Sequence, residues 1–299
     1  MERGEIMRIY NIPEQENMRP GHLACPGCGA ALAMRYTLKA LGEKTIVTIP
    51  ACCWSVIDGP FPYSSLKIPL FHCAFETAAA SASGIRAGLD VKGMEDVNVL
   101  AWAGDGGTFD IGIQALSGAA ERNENIIYVC YDNEAYMNTG IQRSSATPFG
   151  AWTTTTPVKH FKRRPKKDIV AIMAAHRIPY VATASVGFPD DLVRKITKAK
   201  NIKGTKFIHI YAPCPTGWKC KPDDTIKLSK LVVETAIFPL YEIENGEKYT
   251  LNFIPETKKP VSEYLKMQGR FRHLTEKEIE DIQNDVDFRW QKLLEKCNK

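Results

Sequence analysis

The chain has 299 residues, 44% of them hydrophobic, and its 39 basic and 34 acidic residues give a formal charge of +5. This composition fits one large or two small α/β domains, and the sequence contains no RNA-binding aromatic motif that would indicate nucleic acid as a partner. There is no run of about 18 apolar residues and no signal-peptide pattern, so we expect a cytoplasmic protein without a membrane segment. In that reducing compartment, nine cysteines favour metal ligands or buried thiols over disulfides.

The predicted secondary structure alternates between strands and helices for most of the chain. Residues 1–30, with several prolines and glycines, are expected to form a loop. The predicted strands are 46–49, 97–102, 126–131, 180–183 and 207–211, and the predicted helices are 77–89, 111–121, 168–176 and 190–200. Continuous apolar strands that alternate with helices indicate an α/β fold, with a mostly parallel sheet and helices on both faces.

The last part of the chain differs in character. Residues 213–299 contain proline-rich loops, a possible hairpin near 249–253 and a charged terminal helix at 275–296. We therefore divide the chain into an α/β domain at 1–215 and a C-terminal extension at 216–299. The extension is expected to pack on the domain or on a partner subunit.

A glycine-rich segment directly follows one predicted strand. The strand at 97–102 leads into Gly104-Asp105-Gly106-Gly107, and a helix follows. In open α/β sheets, ligands bind beyond the carboxyl ends of the strands. Glycines let the backbone approach a phosphate, and the N–H groups at the start of the next helix can meet its charge. Asp105 is then a suitable oxygen ligand for Mg²⁺ on a diphosphate.

The next predicted strand also leads into polar residues, among them Asn133. Because neighbouring parallel strands place their carboxyl ends side by side, Asp105 and Asn133 are expected to meet at one metal ion. By itself the glycine segment could be only a tight turn, but the pair favours a ligand site. The glycine spacing does not match the dinucleotide-binding fingerprint, and the sequence contains no P-loop motif.

Cysteines form a second pattern. Cys25 and Cys28 have Cys-x-x-Cys spacing in a glycine-rich loop, which alone is compatible with zinc, a redox dithiol or an iron–sulfur cluster. The adjacent pair Cys52 and Cys53, and the single Cys214, each come shortly after a predicted strand. Functional loops of α/β sheets begin at such positions, so these cysteines are candidate ligands as well.

Together the two patterns resemble the β subunit of the 2-oxoacid:ferredoxin oxidoreductases, which combines a thiamine-diphosphate-binding fold with a [4Fe–4S] cluster. Three further segments are similar to the pyruvate type of this family: 72–80, 144–154 and 261–271. The resemblance therefore covers nearly the whole chain. The sequence around position 76 differs from that usual in the 2-oxoglutarate type, which favours pyruvate as the substrate.

The resemblance implies ligands for two inorganic centres. Mg²⁺ would be bound by the side chains of Asp105 and Asn133 and by the backbone carbonyl of Ala135. The ligands of the cluster would be Cys25, Cys28, Cys53 and Cys214. Cys52 stands where the family commonly has glycine, so the third cluster ligand could be either of two neighbours, and the spacing from Cys28 favours Cys53.

The resemblance also implies contacts with thiamine diphosphate. The residues expected to contact this cofactor, besides Asp105, Asn133 and Ala135, are Gly104, Gly106, Gly107, Asn138, Thr139 and Glu76. Asn138 is the candidate catalytic residue, since its amide would orient the substrate beside the thiazolium ring; the alternative is an Asx-type turn before Gly140. Glu76 is expected to support the site from outside, because the family's activating carboxylate comes from the partner α subunit.

Such a subunit would take part in the oxidative decarboxylation of a 2-oxoacid with coenzyme A, giving acyl-CoA and CO₂ and reducing ferredoxin through the cluster. The sequence lacks the cysteine run of a ferredoxin module, so an α subunit, a γ subunit and a ferredoxin-like δ subunit are expected as partners. Two alternatives remain open. One is a thiamine-dependent decarboxylase with a structural zinc site, and the other is a non-catalytic, zinc-stabilised scaffold subunit.

Overall fold

A computed structural model describes residues 11–298, in which the chain builds one eight-stranded sheet in the order β2-β1-β3-β4-β6-β5-β7-β8. The strands are β1 (Thr45–Pro50), β2 (Leu70–Cys73), β3 (Asn98–Gly104), β4 (Ile127–Asp132), β5 (Tyr180–Ser185), β6 (Lys206–Tyr211), β7 (Tyr241–Glu244) and β8 (Lys248–Leu251). The first ten residues of the loop predicted at 1–30 lie outside the described residues.

The helices that surround this sheet vary from one turn to six turns. They are α1 (Gly29–Leu41), α2 (Trp54–Ile57), α3 (Ala78–Val91), α4 (Ile113–Glu121), α5 (Ile169–Ala175), α6 (Pro189–Lys200), α7 (Pro215–Trp218), α8 (Thr225–Glu234), α9 (Val261–Lys266) and α10 (Glu276–Cys297). All predicted strands and helices form within a few residues of their expected bounds. Strand β2 and helices α1, α2, α7, α8 and α9 were not predicted from the sequence.

Six strands, from β2 to β5 in the sheet order, run parallel, and β7 and β8 complete the sheet as an antiparallel pair. This arrangement confirms the predicted mostly parallel α/β fold. Strands β4, β5 and β6 are buried along their whole length, as expected where helices cover both faces of a parallel sheet. Two apolar clusters fill the two sides of the sheet.

The C-terminal residues contribute to this sheet and to a third apolar cluster. Strand β7 pairs with β5, and the hairpin that it forms with β8 lies close to the predicted position. Helix α10 starts with a capping box, in which Thr275 and Glu278 satisfy each other's backbone N–H groups. The domain boundary placed after residue 215 stays a prediction. None of the helices in the described part of the chain is long and apolar enough to cross a bilayer.

The register of the parallel strands determines where their loops begin. Gly104 of β3 lies opposite Tyr131 of β4, and Asp132 of β4 lies opposite Tyr211 of β6. The three strands therefore end almost level with one another. The loops that follow β1, β3, β4 and β6 consequently emerge at one edge of the sheet, where ligands bind in this class of fold.

Candidate active site

Four of the predicted ligands begin these loops. Cys53 follows β1 and is the N-cap of α2, and Asp105 follows β3 directly. Asn133 is the first residue after β4, and Cys214 is the N-cap of α7 shortly after β6. The structure thus brings both predicted patterns, the Asp105–Asn133 pair and the cysteines, to the same edge of the sheet.

Three oxygen atoms converge at the end of β3 and β4. The side-chain oxygen of Asn133 lies 3.0 Å from Oδ1 of Asp105 and 3.1 Å from the carbonyl oxygen of Ala135. Rotation of the amide would place its nitrogen there and make two hydrogen bonds instead. Neighbouring ligands of an octahedral Mg²⁺ with bonds of about 2.1 Å are about 3 Å apart, so the unrotated arrangement is the one that the cation would hold.

The carboxyl group of Asp105 is almost fully buried, with 1% of the residue exposed. Burial raises its pKa well above the usual range, and the neighbouring charge of Asp132 raises it further, whereas a hydrogen bond from Ser144 lowers it. The Ser144 hydroxyl donates to Oδ2 of Asp105 at 2.5 Å. A buried carboxylate of this kind is stabilised by a bound cation, which compensates for the lost hydration.

The glycines after Asp105 start a π-helix rather than an ordinary helical turn. It spans Gly106–Ile111, and the N–H of Gly112 donates to the carbonyl of Gly107 at 2.9 Å. A Cβ atom at Gly106 would lie 2.4 Å from the ring of Tyr136. Packing against this ring, which belongs to the loop after β4, is thus a structural reason for the glycine. Single π-helical turns occur often at functional sites.

Three other residues predicted to contact the cofactor are not buried with Asp105: Glu76, Asn138 and Thr139 are all exposed. The turn around Asn138 is closed by backbone bonds to the carbonyl of Met137, so its closure does not require the Asn138 side chain. The hydroxyl of Thr139 donates to the side chain of Gln142 at 2.6 Å. The roles assigned to these three residues stay predictions.

The loops that carry Cys28 and Cys214 touch each other. The N–H of Gly29 donates to the carbonyl of Pro213 at 3.0 Å, and a Cβ atom at Gly29 would lie only 2.6 Å from the nitrogen of Pro213. Glycine is therefore required where α1 begins. This contact brings the Cys-x-x-Cys loop, which includes Cys25, to the Cys214 loop.

The thiols of the four predicted cluster ligands influence one another. Burial raises the pKa of Cys53, and negative charge on the adjacent Cys52, on Cys214 or on Cys28 would raise it further. Burial also raises the pKa of Cys214 to about 12; the N–H of Gly217, 3.4 Å away, opposes this rise, while charge on Cys28 and Cys25 adds to it. Ionising these thiols together therefore requires positive charge nearby.

Cys52 has different surroundings from its neighbour. Burial raises the pKa of its thiol; the hydroxyl of Tyr131 opposes this rise, and charge on Cys73 would add to it. Cys130 lies in the core, and Cys73 is half-buried. In residues 11–298, no group of three or more His, Cys, Asp or Glu side chains is arranged to hold one metal ion.

Sequence reasoning missed a charged network beneath the Asn133 loop. Lys166 lies 2.5 Å from Asp132 and 2.8 Å from Glu134, and Arg270 lies 2.5 Å from the other oxygen of Glu134. Although burial opposes it, Lys166 and a hydrogen bond from His209 lower the pKa of Asp132 to about 2. Asp132 and Glu134 flank Asn133 in the sequence, and these two acidic residues were the one sequence feature that could have indicated the network.

Comparison with known proteins identifies the family. Residues 57–210 match the family model described as "Thiamine pyrophosphate enzyme, C-terminal TPP binding domain". Ketoisovalerate oxidoreductase subunit VorB of Pyrococcus abyssi is 54% identical over 97% of this chain and 96% of its own length. Pyruvate synthase subunit PorB of Methanothermobacter thermautotrophicus is 53% identical over 94% of this chain and 99% of its own. The chain belongs to the β subunits of the 2-oxoacid:ferredoxin oxidoreductases.

This β subunit is therefore part of an enzyme that acts as a complex of several subunits. It also has the fold of a solved relative. The 2-oxoglutarate:ferredoxin oxidoreductase from Magnetococcus marinus superposes with a TM-score of 0.57 at 23% identity, over 73% of this chain and 82% of that one. Together with the family model, this likeness confirms the predicted thiamine-diphosphate-binding fold. The converging oxygens of Asp105, Asn133 and Ala135 are of the kind and spacing that a Mg²⁺ ion would accept as ligands.

Replacement of Asp105 tests this site. Because Asp105→Asn removes a buried charge beside Asp132, we expect the metal-free variant to unfold at the same temperature as the unsubstituted protein or higher. Thiamine diphosphate and Mg²⁺ at 100 times their dissociation constant should stabilise the unsubstituted complex by about 2.7 kcal/mol, and the variant hardly at all. Thermal unfolding with chelator and with both ligands measures this. Asp96→Asn, at an exposed ion pair with Lys44, is the control and should respond normally.

Proposed function

We propose that this β subunit catalyses, with its partner subunits, the oxidative decarboxylation of pyruvate with coenzyme A to acetyl-CoA and CO₂. Electrons would pass through a [4Fe–4S] cluster on Cys25, Cys28, Cys53 and Cys214 to ferredoxin. One observation carries the proposal: in the orientation that turns its oxygen toward Asp105, the Asn133 amide places its nitrogen 4.0 Å from the sulfur of Cys53. A single side chain therefore spans the diphosphate site and the thiol site.

The residues of the chain have separate tasks in this proposal. Asp105, Asn133 and Ala135 would hold Mg²⁺ on the diphosphate, and their burial keeps water from competing for the cation. Bound thiamine diphosphate supplies the nucleophilic carbon that allows the carboxyl group of the 2-oxoacid to leave. Asn138 would orient the substrate from the exposed loop, and Glu76 would support the site from its rim.

The thiol site suits a cluster in its chemistry. A [4Fe–4S] cluster takes each cysteine on a different iron, so its four sulfurs need not converge on one point as zinc ligands must. Backbone N–H groups of Ala30 and Ala31 reach Cys28, and that of Gly217 reaches Cys214. Such hydrogen bonds stabilise thiolates and set the reduction potential of a cluster.

Partner subunits are needed on two grounds. The chain has no ferredoxin-type cysteine run to carry electrons onward, and the carboxylate that activates the cofactor would come from the α subunit. We therefore propose a complex with α, γ and ferredoxin-like δ subunits, with coenzyme A as co-substrate. None of the nine cysteines, which lie within residues 11–298, forms a disulfide. We place the complex in a reducing compartment, the cytoplasm, and in an anaerobic metabolism.

Chemical analysis of the complex, purified without oxygen, tests the cluster. We expect about four iron and four sulfide for the β subunit beyond those of the ferredoxin-like partner, together with thiamine diphosphate. The partner's share is measured on that subunit alone. Zinc without additional sulfide would mean a structural metal site, and the electron path through this subunit would then be wrong.

The adjacent cysteines allow a matched test of the third ligand. Cys53→Ser should abolish the cluster of this subunit, because Cys53 shares its space with Cys28 and Cys214. Cys52→Ser should retain it, since Cys52 lies instead against Tyr131. Iron, sulfide and the electron paramagnetic resonance spectrum of the reduced complex measure the difference. Equal loss in both variants, or loss only with Cys52→Ser, would contradict the assignment.

The identity of the substrate has a second candidate, ketoisovalerate, because a relative named for it is as similar as one named for pyruvate. Pyruvate is favoured by the segments 72–80, 144–154 and 261–271. We expect kcat/KM for pyruvate to exceed that for ketoisovalerate by about tenfold or more, since a pocket shaped for a methyl group excludes a branched one. Anaerobic assays with each acid under identical conditions measure the two values. A higher kcat/KM for ketoisovalerate would mean that the branched-chain acid is the substrate.

A further inference from the structure

Glu134 stands between two of the three converging oxygens and has an unusual backbone. Its φ is +65°, a left-handed conformation that residues other than glycine seldom adopt. The side-chain oxygen of Asn133 and the carbonyl of Ala135 lie on either side of it in sequence. The direction in which both point toward Asp105 therefore depends on the conformation of Glu134.

Two cations hold the Glu134 side chain. Oε2 lies 2.5 Å from a guanidinium nitrogen of Arg270, and Oε1 lies 2.8 Å from the ammonium of Lys166. The side chains of Arg270 and Glu134 are only 3% and 4% exposed. Lys166 is fixed in turn by Asp132, whose other oxygen accepts the N–H of Glu134 at 2.9 Å. Each oxygen of the Glu134 carboxylate is thus paired with a cation.

The neighbouring backbone is held as well. The indole N–H of Trp218 donates to the carbonyl of Asn133 at 2.8 Å, and the hydroxyl of Thr147 donates to the carbonyl of Glu134 at 2.7 Å. The guanidinium of Arg270 lies over the Trp218 ring, 4.1 Å from its centre. Arg270 thus contacts two of the groups that fix the loop, the carboxylate of Glu134 and the indole of Trp218.

A purely stabilising role does not explain this arrangement. Glycine would adopt the left-handed conformation without strain, and a buried ion pair is weak evidence for stability. Strained residues persist at functional sites where the surroundings determine their conformation. We infer that Arg270 is a positioning residue, which, with Lys166, holds Glu134 in its left-handed conformation and so aims Asn133 and Ala135 at the Mg²⁺ bound by Asp105. This inference rests on the Mg²⁺ site of the proposed function.

The first test measures Mg²⁺ binding rather than turnover. The whole complex is stripped of Mg²⁺ and thiamine diphosphate with chelator, and Mg²⁺ is titrated at a fixed excess of the cofactor by calorimetry. Arg270→Met should raise the dissociation constant of Mg²⁺ about tenfold or more, as loss of an outer contact to metal ligands does. Arg289→Met, at an exposed pair with Asp285 on α10, is the control and should bind normally. Normal binding by Arg270→Met would overturn the inference.

A pair of double variants separates positioning from charge balance. Arg270→Met/Glu134→Gly and Arg270→Met/Glu134→Ala remove the same two charges, but only glycine takes a positive φ freely. The glycine double variant should therefore bind Mg²⁺ about tenfold more tightly than the alanine one. Equal affinities would mean that the ion pair only balances charge, which overturns the inference. This comparison of the two double variants remains informative even if Arg270→Met alone fails to fold. Both double variants remove Arg270 together with Glu134, so neither leaves one of these two buried charges without its partner.

Measurements on the unsubstituted complex distinguish failure of the proposed Mg²⁺ site from failure of the inferred role of Arg270. If the unsubstituted complex binds thiamine diphosphate equally well with and without Mg²⁺, the Mg²⁺ site itself is wrong, and the positioning role is wrong with it. If the unsubstituted complex requires Mg²⁺ and all four variants match it, only the role of Arg270 is refuted.

Discussion

The parallel register of β1, β3, β4 and β6 is the constraint on which the site depends. These strands end nearly level, so that loops far apart in sequence leave the sheet at one edge. The oxygens of Asp105, Asn133 and Ala135 meet there because β3 and β4 are direct neighbours. Cys53 and Cys214 reach the same edge from β1 and β6, on either side of that pair. In the proposed function, this closeness would bring the thiamine diphosphate next to the cluster that accepts its electrons.

Features that follow from local pattern were predictable from the sequence. Apolar strands separated by helices imply a parallel sheet, and a parallel sheet implies that Asp105 and Asn133 come together, as they do. The choice between Cys52 and Cys53 was harder, because adjacent residues have nearly the same position along the chain. It depends on the surroundings of each side chain: Tyr131 and Cys73 act on the pKa of Cys52, whereas Cys214 and Cys28 act on that of Cys53.

Other features depend on contacts between distant residues, which no local pattern reveals. Glu134 and Arg270 are 136 positions apart, so neither residue indicates its partner. Gly106 shows a related difficulty. Its sequence context suggested close approach of a phosphate. The structure shows a second reason for glycine, because the ring of Tyr136 occupies the place where a Cβ atom would lie. A glycine in a motif can thus serve the packing of the protein as well as its ligand.

The position of Arg270 has a consequence for how the protein can be divided. A fragment that ended after β6 and Cys214 would contain every predicted ligand of Mg²⁺ and of the cluster, and the whole of the segment that matches the family model. It would nevertheless lose Arg270, Trp218 and the antiparallel strands that extend the sheet beyond β5. On the inferred role of Arg270, such a fragment would not hold the Asn133 loop in place for Mg²⁺. Any minimal or fused version of this subunit must keep the chain through the segment that contains Arg270.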